Sequence, residues 1–150
     1  MGGWACWYWS PSMRLRGWVG GEGKNQLIRD SKGLIFPVLW HEPFGLAVTE
    51  SLYLGCPVFA SPFGSLPDII SQENIGMLSD KYDVLIEAVK AADTYDRRAC
   101  HEHAKTYFSH MAMAKSYQAC YEKVLSGENL NPHRPRSKAN IKARQSMRDE

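Results

Sequence analysis

Apolar residues in this chain gather into short runs bounded by glycine and proline. Leu34-Ile35-Phe36-Pro37-Val38 and Pro57-Val58-Phe59-Ala60-Ser61 are apolar on both faces, the pattern of strands in a parallel sheet covered on each side. Met13 to Val19 sets Leu15, Gly17 and Val19 against Arg14, Arg16 and Trp18, which predicts a short strand ended by Gly20-Gly21. Ile75-Gly76-Met77-Leu78 predicts a final one. Helices are expected between the strands: Gly23 to Ser31 with Leu27 and Ile28 inward, Gly45 to Leu54 stopped by Gly55, and a short one from Asp68 to Ser71. This β-α-β-α-β-α-β rhythm predicts an α/β fold with a parallel sheet of about four strands and right-handed crossovers. Beyond Asp80 the pattern turns helical. Asp80 and Asp83 mark a helix start, with Leu85, Val89 and Ala92 on one face. Cys100, Ala104, Tyr107 and Phe108 mark a second helix. A third opens at Ser109 and carries Met113, Tyr117, Cys120, Tyr121 and Val124 before Gly127, a stripe that reads as core.

Composition narrows this picture. With 150 residues, 44% apolar and 23% charged, the chain can bury the core of one globular domain. Its apolar runs are shorter than a bilayer span, and the N-terminus lacks the basic segment and apolar stretch of a signal peptide, so a cytoplasmic protein without a transmembrane segment is expected. Residues 1–12 form a separate aromatic-rich segment, with Trp4, Trp7, Tyr8 and Trp9 read as packing against a core or a neighbouring domain. Residues 128–150 form a basic tail, read as solvated and disordered. The tail lacks interleaved aromatics, so nucleic acid is not an expected partner. The four cysteines are widely spaced and read as reduced structural thiols. Cys100-His101-Glu102-His103 has no second ligand pair at a recognisable spacing, so no metal site is expected.

Candidate chemistry centres on His41 to Glu50. Pro43 bars helix before it, and Gly45 permits a close backbone approach just where a helix begins. No Ser, Thr, Asp or Asn stands at 43–45 to cap that helix, which leaves its first N–H groups to a ligand phosphate or to the Glu42 carboxylate. Glu50 follows five residues after Gly45, about 7–8 Å along the axis. Two acceptors on either side of an anion pocket suit a sugar, a diphosphate and a ribose in a row. On spacing alone the readier reading is that Glu42 caps the helix and Glu50 is a solvated helix residue.

Glu42-Pro43-Phe44-Gly45-Leu46 followed by Glu50 resembles the E-x7-E motif of retaining glycosyltransferases of family 4, the glycosyl transferases group 1. Gly55-Cys56-Pro57-Val58-Phe59-Ala60-Ser61 is similar to that family's G-T-P-V-I-A-S strand, and Gly64-Ser65-Leu66-Pro67-Asp68 to its G-G-L-P-E turn. Leu15 to Gly20, Gly76 to Asp80 and Phe108-Ser109 match further family segments in order, so the resemblance covers residues 13–126. It implies that 13–127 is the donor-binding, C-terminal domain of a GT-B enzyme, built on a partial Rossmann-like sheet and transferring a sugar from a nucleotide diphosphate sugar with retention. By that resemblance Glu42 is the catalytic carboxylate and meets the hydroxyls of the donor sugar. The backbone of Phe44, Gly45 and Leu46 meets sugar and diphosphate, and Glu50 binds the ribose. No cofactor is implied beyond the donor.

The same resemblance implies a truncated domain. The family's sheet has six strands, and its diphosphate-clamping Arg and Lys lie in the part not represented here; Lys24 and Lys32 stand in a different context. The expectation is a chain inactive alone, completed by an N-terminal domain or a partner chain. The alternative is a stand-alone module that binds a nucleotide sugar or a partner without catalysis.

Overall fold

The computed structural model describes residues 12–131. The aromatic segment at 1–11 and the basic stretch from 132 onward lie outside the described residues. In chain order the elements are α1 (Gly21–Asp30), β1 (Leu34–Phe36), α2 (Leu46–Tyr53), β2 (Val58–Ala60), α3 (Leu66–Ile69), β3 (Gly76–Leu78), α4 (Tyr82–Lys90), a single 3₁₀ turn Ala92–Thr94, α5 (Arg97–Tyr107) and α6 (His110–Leu125). The three strands form one parallel sheet in the order β1-β2-β3, with Leu34 opposite Val58 and Val58 opposite Gly76.

Strand periodicity explains the two cores. Val58 and Ala60 of β2 point to one face, where they meet Val48 and Leu52 of α2 and Cys100 and Ala104 of α5. Phe59 points the other way, onto Leu85 and Ala88 of α4 and edge-on to Tyr95 at 5.2 Å between ring centres. β2 is therefore buried on both faces, as its unbroken apolar run requires. Burial of the Tyr95 ring raises its pKa.

β1 departs from that pattern. Leu34 and Phe36 face the α2–α5 core, but Ile35 between them is 56% exposed, because α4 packs on β2 and β3 and no other described element covers this part of the opposite face. The alternating segment Met13 to Val19 forms no strand. Leu15 and Trp18 are exposed, and an alternating run without a neighbouring ladder to join has nothing to hold it extended.

The helical half was placed correctly along the chain and less well in depth. α4 begins after Lys81 and not under an Asp80 cap; Ser79 Oγ accepts the Lys81 N–H, and Asp83 takes the N–H of Val84. α5 is capped by Asp96, whose carboxylate accepts from the amides of Arg98 and Ala99. α6 starts at the expected Ser109 cap. Its stripe is not core, however. Met113, Tyr117, Tyr121 and Val124 are all exposed, because among the described residues α6 packs chiefly against α5. Leu27, also expected inside, is exposed.

Candidate functional site

The carboxyl end of β1 runs through Val38 and Trp40 into the turn that launches α2. Two devices lock this turn. Glu42 forms an isolated parallel bridge with Gly64, and its carbonyl accepts the N–H of Ser65 at 2.9 Å. Ser65 Oγ in turn donates to the Phe44 carbonyl at 2.9 Å. The loop between β2 and α3 thus holds the turn between β1 and α2. Gly64 has φ +69°, and a Cβ there would sit 2.2 Å from the Glu42 carbonyl oxygen. Only glycine lets the two backbones approach this closely.

Gly45 is the N-cap of α2 in the left-handed conformation, φ 85°. Its N–H donates to Glu42 Oε1 at 3.1 Å, and Trp40 Nε1 donates to Glu42 Oε2 at 3.0 Å. Of the two sequence readings of Glu42, the structure contains the capping one at the Gly45 amide. The carboxylate is not consumed by it, since two oxygens offer about four lone-pair sites and two are used. The N–H groups of Leu46 and Ala47 have no acceptor among the described residues, because Val48 and Thr49 are the first to bond back to Gly45. The Phe44 side chain is half exposed and meets Phe108 edge-on, with ring centres 6.4 Å apart, while the Leu46 side chain is 70% exposed.

Glu50 lies on the second turn of α2. Its Oε2 accepts from Lys24 Nζ of α1 at 2.8 Å. Lys24 thus stands beside Glu50, a pairing that sequence reasoning did not anticipate, whereas Lys32 pairs with Asp93. An exposed pair of this kind stabilises the fold by about 0.2–1 kcal/mol. Sequence reasoning also passed over Trp40. Its signal was the spacing of two from Glu42, which in an extended segment puts both side chains on one face. Lys24 left no such signal, because it reaches Glu50 across 26 positions.

Elsewhere the titratable side chains do structural work. His103 is buried, with Nε2 donating to the Ile69 carbonyl and Nδ1 accepting from Gln72. Cys100 is fully buried against Ile75, and burial, with the nearby Cys56, pushes its thiol up to about 12. Among the described residues no group of three or more His, Cys, Asp or Glu could hold a metal ion. Cys56, Cys100 and Cys120 are free thiols. No helix among the described residues is long and apolar enough to cross a membrane.

A carboxylate-flanked helix N-terminus at the carboxyl end of a parallel strand is the layout of a ligand-binding α/β domain of the open-sheet class. The family model of the glycosyl transferases group 1 matches residues 12–105, more than half of the chain, and the chain belongs to that family. The chain is also 31% identical over 113 residues to an "Uncharacterized 41.2 kDa protein in cps region" of Klebsiella pneumoniae. That match takes in 71% of this chain and 31% of the relative's length.

Proposed function

We propose that this chain forms the donor-binding wall of a retaining GT-B glycosyltransferase, holding a nucleotide diphosphate sugar at the turn between β1 and α2 through an E-x7-E motif. The observation that carries this reading is the pair of unengaged N–H groups at Leu46 and Ala47 beside a carboxylate fixed by Gly45 and Trp40. A diphosphate suits those amides at the positive end of the helix. The open lone pairs of Glu42 suit hydroxyls of the sugar, and Glu50 Oε1 suits the hydroxyls of the ribose. When the bond between the sugar and the diphosphate breaks, negative charge grows on the departing phosphate, and fixed amides lower the energy of that state. Phe44, Gly45 and Leu46 contribute backbone to this cradle, with Glu42 as the catalytic carboxylate.

On this reading the chain holds the donor, and transfer requires acceptor-side residues from a further domain or a partner chain. The much greater length of the Klebsiella relative supports that division. Calorimetry with UDP-, GDP- and ADP-sugars tests it. One of them should bind the chain, and Glu42→Gln and Glu50→Ala should each weaken binding about tenfold, the equivalent of about 1.4 kcal/mol. Absence of binding at millimolar donor overturns the site, and sugar transfer by the chain alone overturns the division of labour.

A further inference from the structure

We propose that Lys24 is a positioning residue of the ribose subsite: reaching across from α1, it fixes the Glu50 carboxylate so that Oε1 faces the ribose hydroxyls of a nucleoside diphosphate. This rests on the ribose role given to Glu50 above, and it adds an element that lies outside the E-x7-E stretch.

Three observations carry it. The first is placement. Only residues 31–33 separate the end of α1 from the start of β1, so α1 runs back along the strand and its first turn, with Lys24, lies toward the end of β1 from which α2 departs. Lys24 and the start of α2 therefore share one side of the sheet. The second is what holds Glu50. Among the described residues Lys24 is the hydrogen-bond partner of its carboxylate, with Nζ 2.8 Å from Oε2, and the side chain is half exposed, so packing does not set its rotamer. The third is what lies beneath the pair. Lys24 and Glu50 border a cavity of about 150 Å³ between α1 and α2 that is also lined by Ile28, Leu34, Ala47 and Cys56. The ammonium spans this gap between two helices, and α1 itself contains no buried residue.

The chemistry follows from donor and acceptor counts. One Lys24 N–H occupies Oε2, which leaves Oε1 to accept from a ribose hydroxyl; an ammonium has three donors, so a second can reach a ribose oxygen. A carboxylate already oriented loses less rotamer freedom on binding than a free one. A lysine that merely tied α1 to α2 would contribute equally to every ligand of the site. A lysine that positions Glu50 contributes only where a ribose diol is present.

The test is a ratio. Affinities of the chain are measured by calorimetry for the nucleoside diphosphate it binds best and for the dideoxyribose counterpart, with Lys24→Met, Lys24→Arg and the parent compared. The parent should prefer the ribonucleotide by about tenfold, or about 1.4 kcal/mol. Lys24→Met should reduce the preference to about twofold or less, chiefly by weakening the ribonucleotide, and Lys24→Arg should restore it, because guanidinium also pairs with carboxylate. Urea unfolding of the same variants separates loss of fold from loss of ligand, and Lys24→Gln replaces Lys24→Met if the latter does not fold. A preference unchanged in Lys24→Met overturns the inference. A parent that binds nucleoside diphosphates without any ribose preference overturns it together with the ribose role of Glu50. A parent that binds none of them overturns the donor site as a whole.

Discussion

Gly64→Ala is the substitution on which the geometry of the site bears most directly. Two penalties meet at this position. The backbone stands at φ +69°, where an L-residue costs about 1–2 kcal/mol. A Cβ would also lie 2.2 Å from the carbonyl oxygen of Glu42, 2.4 Å from its nitrogen and 2.8 Å from the carbonyl carbon of His41. All three are backbone atoms, so no rotamer change relieves the clash; the loop must move away from the turn. Such movement breaks the Ser65 N–H bond to Glu42, a further loss of about 0.5–1.5 kcal/mol, for a total of about 1.5–3.5 kcal/mol. Gly127→Ala supplies the control, since Gly127 has φ +84° with nothing within 4 Å of its would-be Cβ and forfeits only the conformational part, about 1–2 kcal/mol. Urea unfolding should show both variants destabilised with unchanged slope, and Gly64→Ala clearly further. Any donor binding should fall in Gly64→Ala and persist in Gly127→Ala. Equal midpoints would refute the reasoning, because they would mean that the contact between the two loops contributes nothing.

Asp96→Ala removes the carboxylate that accepts from the Arg98 and Ala99 amides and should cost about 0.5–2 kcal/mol by chemical denaturation, with Asp96→Asn recovering most of it. Cys100 makes the protein sensitive to alkali. Burial raises its folded-state thiol from the ordinary 9.0 to about 12, so above pH 9.0 the unfolded chain releases a proton that the folded chain retains. Stability is fully present below that pH and falls as pH rises toward 12, by up to about 1.4 kcal/mol per unit; Cys100→Ala should flatten this part of the profile, and an unchanged slope in that variant would assign the loss to other groups.

How far the sequence carried the fold depends on which interactions build each part. β1, β2 and the glycine-terminated α2 were legible because apolar runs and turn chemistry leave marks within a few residues, as at Leu34 to Val38, Pro57 to Ser61 and Gly55, although only β2 is buried on both faces. α6 illustrates the opposite case. The spacing of Met113, Tyr117, Tyr121 and Val124 correctly marks one face of a helix, yet a periodic stripe states which face is apolar and not what covers it. Ile35 repeats the lesson in a strand: its neighbours are covered by α2 and α5, whereas its own face depends on a layer that stops at β2. The supposed strand at Met13 to Val19 had the right alternation, but a strand is made by its partner. At the site, Glu42, Gly45 and Glu50 stood out because a short motif holds them. Trp40 was legible only through its spacing from Glu42, and Lys24 is a tertiary neighbour that no local pattern announces.

The arrangement also explains why the turn at Glu42 can hold a fixed shape in a small sheet. The residues that clamp it, Gly64 and Ser65, directly precede Leu66, which is fully buried and starts α3. Leu66 and Ile69 of α3 also pack beneath Gly45, where an added Cβ would already touch both side chains at 3.4 Å. Core and site are therefore joined through a segment only a few residues long: burying Leu66 fixes the loop, the loop fixes the Glu42 backbone, and Glu42 in turn caps Gly45 at the start of α2. The Lys24 contact with Glu50 has no such backing, because it comes from a helix without a buried residue. The wall should thus be stiff at Glu42 and adjustable at Glu50. Hydrogen exchange offers the check: the Ser65 amide, bonded to Glu42, should be protected to nearly the global stability, whereas the Lys24 amide, held by a 3.4 Å bond to Gly20, should exchange through local opening.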